Sequence, residues 1–267
     1  MFEHSATIVT KQVPRLTFLC LALLIAATAF GQQTGTGRLD VEATFNFEAD
    51  RLDAVRWQSD GSGYFVLEPV PGNSAASIVR YDAASGAKTV FVPAEKLVPP
   101  GATSALAIKQ FDLSSDEQSV LIFTNTARVW RSNTRGDYWV IDRKTGKLLK
   151  LGGDAKPSTL MFAKFSPDGT RVGYVRENNI YVQNLNDGKI TQLTTDGTTH
   201  LVNGTFDWVY EEELFCRDGF RWSPDGAHIA YWQLDSEGVK EFKLINDTAG
   251  LYPVITSFPY PKAGEMN

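Results

Sequence analysis

The 267 residues are 43% hydrophobic and 21% charged, which excludes the disordered, collagen-like and polytopic membrane classes. With 26 Lys and Arg against 31 Asp and Glu, the formal net charge is −5; no basic footprint exists for phosphate, and nucleic acid is not an expected partner. Twenty-two Gly and 12 Pro beside 12% aromatic residues predict an all-β chain of short strands joined by tight turns.

Residues 1–31 read as a targeting segment. Leu16 to Phe30 (LTFLCLALLIAATAF) is one apolar run behind Lys11 and Arg15, followed by small residues at Ala27, Ala29 and Gly31. This pattern predicts a signal peptide cut after Ala29 or Gly31, and the run is shorter than the ~20 residues a spanning helix needs. An uncleaved signal anchor is the other reading. Either one exports the remainder to a periplasmic or extracellular location, free or held at the membrane through that segment. Cys20 lies inside the run, so cleavage leaves Cys216 with no internal disulfide partner; an unpaired Cys of this kind is expected to be buried.

From residue 38 onward the chain repeats itself. RWQSDGSGYFVLE (56–68), QFDLSSDEQSVLIFT (110–124), KFSPDGTRVGYVR (164–176) and RWSPDGAHIAYWQ (221–233) carry aromatic anchors Trp57, Phe111, Phe165 and Trp222, spaced 54, 54 and 57 residues apart. Each unit runs from an aromatic through a Ser-(Pro)-Asp-Gly turn into an alternating strand, with Gly supplying the left-handed turn position. Between anchors come second hairpin signatures, IVRYDAASGAKTVFV (78–92), YWVIDRKTGKLLKL (138–151) and IYVQNLNDGKITQLT (180–194). Two hairpins per repeat predict a four-stranded blade, and four such repeats predict a β-propeller rather than a sandwich of unrelated strands. No dinucleotide, P-loop or zinc spacing occurs, and neither cofactor nor metal is expected.

The segment 203–220 breaks the repeat with an acidic and aromatic insertion, NGTFDWVYEEELF, at 203–215. Asp207 is a candidate N-cap, and glutamates near a helix start are favoured by its unpaired amides. Two readings stand. One is a solvated, capped turn. The other starts from the crowding of Glu211, Glu212 and Glu213 between aromatic and apolar residues, which raises carboxyl pKa values unless a cation is supplied; a ligand ammonium would supply it.

DWVYEEELF (207–215), RWSPDGAHIAYWQLD (221–235) and FPYPKAG (258–264) together resemble the propeller domain of the dipeptidyl peptidase IV group, in the prolyl oligopeptidase family of serine peptidases. The resemblance spans residues 40–267, most strongly from 111. It implies about four blades of an eight-bladed propeller that sits over an α/β-hydrolase domain. It further implies that Glu212 and Glu213 hold the free amino group of a peptide and that Arg131, after Trp130, binds a backbone carbonyl. Carboxylates suit an ammonium with its three donors, and a guanidinium offers a planar fork that Lys lacks; the other reading of Arg131 is a surface strand residue. Tyr210 and Phe215 are expected to pack the insertion, and His200 and His228 match no catalytic position.

The sequence contains no Gly-x-Ser-x-Gly nucleophile elbow, so this chain by itself is not expected to hydrolyse peptides. The expected function is the substrate-binding part of an exported dipeptidyl peptidase that removes Xaa-Pro or Xaa-Ala dipeptides, with peptides bearing a free amino terminus and the missing hydrolase domain as partners, and a homodimer in the longer parent. The alternative is a non-catalytic periplasmic binding propeller resembling the TolB type.

Overall fold

The computed structural model describes Val41, Phe45 and residues 55–266 except 73 and 74. The expected signal segment lies outside the described residues. The described residues from 55 onward belong to one compact unit, and among the described residues no helix is long and apolar enough to cross a membrane.

The first repeat forms a four-stranded antiparallel sheet of β1 (Arg56–Trp57), β2 (Gly63–Pro69), β3 (Ala76–Asp82) and β4 (Lys88–Val92), in that order. The second gives β5 (Gln110–Leu113), β6 (Ser119–Val129), β7 (Ser132–Asp142) and β8 (Leu148–Lys150), and the third β9 (Leu160–Phe165), β10 (Arg171–Arg176), β11 (Asn179–Asn184) and β12 (Ile190–Gln192). These are the expected blades, each a meander of neighbouring antiparallel strands.

The turns explain why the repeats fold alike. Ser114, Ser166 and Ser223 each donate a hydroxyl hydrogen bond to the Asp two residues on, at 2.6, 2.5 and 2.5 Å. Each hydroxyl also accepts from the backbone N–H five residues on, at 2.9, 3.0 and 2.9 Å. Side chain and backbone thus close one loop, and the strands on either side are set in register. The second hairpins use a different lock. Asp82, Asp142 and Asn184 accept backbone N–H groups two and three residues on, and Gly86, Gly146 and Gly188 follow at φ of 69°, 72° and 75°.

The fourth unit departs from a single sheet. It consists of three two-stranded ladders, β13 (Leu201–Asn203) with β16 (Gln233–Asp235), β14 (Phe220–Trp222) with β15 (Ile229–Tyr231), and β17 (Glu241–Asn246) with β18 (Val254–Pro259). An insertion separates β13 from β14 and holds one helix, α1 (Trp208–Glu213). Trp232 joins the first two ladders, donating its N–H to Gly219 and accepting from Gly204. The turn of β17–β18 keeps one bond of the second lock, Thr248 N–H on Asn246 Oδ1 at 3.0 Å, without a left-handed glycine four residues on.

The core lies between blades. Val120 and Ile122 of β6 pack with Phe65, Ile78, Val92 and Phe111, whereas Leu121 and Phe123 of the same strand pack with Tyr138, Leu160, Val172 and Tyr174. A strand alternates its side chains between faces, so burying both faces demands the unbroken apolar run Val120–Phe123. At roughly 1.5–3 kcal/mol for each large apolar side chain withdrawn from water, blade-on-blade contact dominates cohesion. A smaller cluster of Met161, Val175, Ile180 and Phe220 joins the third blade to the fourth.

Candidate functional site

Asp207 caps α1: its extended backbone (φ −75°, ψ 179°) places Oδ1 where it accepts the Tyr210 N–H at 3.0 Å. This is the cap the sequence predicts. The far end closes where Phe215 turns into the left-handed region at φ 58° and the Cys216 N–H reaches the Tyr210 carbonyl at 2.9 Å.

This short helix divides the three glutamates. Glu211 and Glu212 are buried, and Glu213 is exposed. Glu211 meets Arg217, with Nε 3.6 Å from Oε1. Burial pushes the Glu211 carboxyl above the usual range; Arg217 opposes the shift, and the neighbouring Glu212 charge adds to it. Glu212, its side chain only 3% exposed, meets Arg131, with Nε 2.7 Å from Oε2.

Arg131 sits in the tight turn between β6 and β7, where Val129 pairs with Ser132. Both strands are 11 residues long, and this length carries the tip of the second blade to the helix of the fourth. The structure brings Arg131 and Glu212 into an ion pair. It leaves Glu213 in solvent at the end of α1.

Two carboxylate oxygens, Oε1 of Glu211 and Oε1 of Glu212, are buried without a hydrogen-bond partner among the described residues. Such groups are costly unless something satisfies them. The Arg131 ion pair uses Nε, and with 72% of the side chain exposed its two terminal nitrogens remain available to a ligand.

Tyr210 packs on Phe206 with ring centroids 5.5 Å apart. Phe215, in the left-handed turn that ends the helix at φ 58°, is 71% exposed and packs on the insertion through Arg217, whose guanidinium carbon lies 5.9 Å from its ring centre. Cys216 is a free thiol, half-buried rather than buried. His200 lies in a bend, and His228 immediately precedes β15.

Sequence reasoning missed Arg217, although a cation a few residues after an acidic triplet was a visible signal. It also missed Trp208 and Phe258. Together with Trp130, Phe206, His200 and Arg135 they line a cavity of about 410 Å³ beside Glu211.

Known proteins agree with this architecture. A family model described as the dipeptidyl peptidase IV N-terminal region matches residues 114–267. Dipeptidyl aminopeptidase B of Saccharomyces cerevisiae is 35% identical over 167 residues, covering 61% of this chain and 20% of that protein. A probable dipeptidyl-aminopeptidase B of Chaetomium globosum is 31% identical over 229 residues, covering 80% of this chain and 25% of that protein. The chain thus spans about a fifth to a quarter of the curated relatives it matches. The crystal structure of Porphyromonas gingivalis dipeptidyl peptidase 4 superposes with a TM-score of 0.75 at 29% identity, over 88% of this chain and 33% of that one. With its family model covering more than half of its length, its all-β blades and its relatives in agreement, the chain belongs to the dipeptidyl peptidase IV N-terminal region family, as part of a β-propeller.

Proposed function

We propose that this chain is the propeller portion of an exported serine-type dipeptidyl peptidase, and that it binds the amino terminus of the peptide. The observation that carries the proposal is the Arg131–Glu212 pair with a buried, unpartnered Oε1 on Glu212. An ammonium placed there completes that oxygen with a charge-assisted hydrogen bond, while the terminal nitrogens of Arg131 take a peptide carbonyl. Anchoring the amino end fixes how many residues extend toward a nucleophile, so a dipeptide is the unit released. The nucleophile belongs to an α/β-hydrolase domain, and Xaa-Pro or Xaa-Ala amino ends are the expected substrates.

The same reading includes export, directed by the apolar segment at residues 16–30, and a homodimer. Support for the dimer comes from the β17–β18 hairpin. Its Ile245, Leu251, Tyr252, Val254 and Ile255 are all more than half exposed, and apolar surface gathered in this way marks an interaction site.

The test is a titration of the full chain with Gly-Pro-Ala and with its N-acetylated form. Binding of the free amine and its loss on acetylation are expected. Equal affinity for the two peptides overturns the reading and favours a general binding propeller.

A further inference from the structure

The amino-terminus reading, on which the following rests, requires Arg131 to stay against Glu212 although the two come from different blades. The ion pair cannot hold them there unaided. Glu212 is buried, but Arg131 is 72% exposed at the tip of a long hairpin, where water screens its charge and side-chain entropy opposes a fixed geometry.

We infer that Trp130, Trp208 and Phe258 form an aromatic wedge whose function is to set the register between Arg131 and Glu212, which makes them positioning residues for the peptide site. Trp208 and Glu212 are four residues apart on α1, so they share a helix face. On the hairpin, Trp130 and Arg131 are adjacent. Trp130 meets Trp208 edge-on with centroids 6.2 Å apart, and Arg131 meets Glu212 at 2.7 Å. Neighbouring residues of one element thus contact successive turns of another. A shift or rotation of either element breaks both contacts together.

Phe258 of β18 completes the wedge. It is 5% exposed, stacks on Trp208 at 4.5 Å and meets Trp130 at 5.0 Å. Aromatic pairs in such tilted and offset arrangements are favourable beyond the area they bury. The backbone of Trp130 points to the same conclusion. Its φ is 51°, a left-handed conformation where a turn ordinarily takes Gly, and a bulky residue holds it only when its surroundings fix it. The ring contacts fix it here, and the Trp130 carbonyl accepts a hydrogen bond from Arg128 Nε at 2.8 Å.

The experiment follows the Arg131 Nε–H signal by nitrogen-resolved NMR in the full chain without ligand. Its shift and exchange rate report the carboxylate beside it. Trp130→Leu and Trp208→Leu should each move the signal to the position of a free arginine while the amide spectrum stays dispersed. Trp208→Phe should restore it, and Trp57→Leu, at an exposed ring of the first blade, should leave it unchanged. Should Trp208→Leu fail to fold, Trp130→Leu at the hairpin tip decides. An unmoved Arg131 signal in a folded Trp130→Leu chain overturns the inference.

Affinity for Gly-Pro-Ala should fall about tenfold in Trp130→Leu, the scale of a lost charge-assisted contact. A wild-type chain that binds no free-amine peptide removes the amino-terminus reading, and the Arg131 signal still judges the wedge.

Discussion

Gly136 of β7 sits opposite Leu160 of β9, and this pair links the ladders of the second and third blades. The approach is close. A Cβ at Gly136 would stand 2.3 Å from a ring carbon of Phe123 and 2.7 Å from the carbonyl oxygen of Thr124. Backbone cannot yield as a flexible side chain does, so Gly136→Ala should destabilise by about 1–3 kcal/mol, as overpacked cores do. A melting curve indistinguishable from wild type would show that the blades part there without strain.

The serine locks lend themselves to a single substitution. Ser166 is 1% exposed and bridges Asp168 and the Arg171 N–H, so Ser166→Ala should cost about 1 kcal/mol by urea unfolding. The acid limb should change as well. The Ser166 hydroxyl first, and the Thr170 N–H second, hold the Asp168 carboxyl below its usual 3.8. Its contribution is therefore complete above pH 3.8 and fades as the pH falls through the lower folded value. Ser166→Ala should lose less stability than wild type over that acid interval.

Lys164 supplies the alkaline counterpart. Its ammonium lies 3.7 Å from the centre of the Phe220 ring, bonds the Phe220 carbonyl at 2.9 Å and pairs with Asp218. Burial brings its pKa down from 10.5 to about 8, with Asp218 opposing. Between those values the unfolded chain holds the proton that the folded chain has released, so stability from this group rises with pH. Unfolding free energies of wild type and Lys164→Met should diverge in favour of wild type from about pH 8 to about pH 10. A pH-independent difference would mean that Lys164 keeps its ordinary pKa.

Glu212 and Glu213 should respond differently to removal of charge. Glu212→Gln leaves Arg131 without its carboxylate and should weaken Gly-Pro-Ala binding about tenfold to a hundredfold, the scale of a buried charged hydrogen bond. Glu213 is solvated, so the effect of Glu213→Gln should be smaller and should shrink at high salt, as screened surface charges do. Titrations at low and high salt separate the two.

Ile245 and Ile255 face each other across the β17–β18 ladder, at 64% and 59% exposure. If that face joins two copies, Ile245→Lys with Ile255→Lys should convert the dimer into a monomer in sedimentation, because like charges placed on an apolar face oppose its burial. A wild-type monomer at all concentrations would remove the dimer from the proposal.

What could be read from the sequence was local chemistry. The Ser-Asp-Gly and Asx turns recur because a few neighbouring atoms close each loop, and three blades followed from them. The fourth second-type hairpin was missed although Asn246 to Gly250 repeats the spacing of Asp82 to Gly86 and Glu241-Phe242-Lys243-Leu244 alternates; β17 is nevertheless exposed along its whole length. The meeting of Arg131 with Glu212 depends on two hairpin strands reaching from one blade to another; the family resemblance singled out both residues but not their contact. Nor could three identical glutamates be told apart in sequence. Their burial is decided by the phase of α1 against Arg131 on one side and Arg217 on the other.

That phase has a consequence for how the family can vary. Successive residues of a helix are turned by roughly 100°, so one uncharged residue gained or lost between Asp207 and Glu211 would present a different carboxylate to Arg131 without altering net charge. Changes in the length of this segment should therefore be tolerated less than changes in its side chains, and the site keeps its identity by counting residues along the helix.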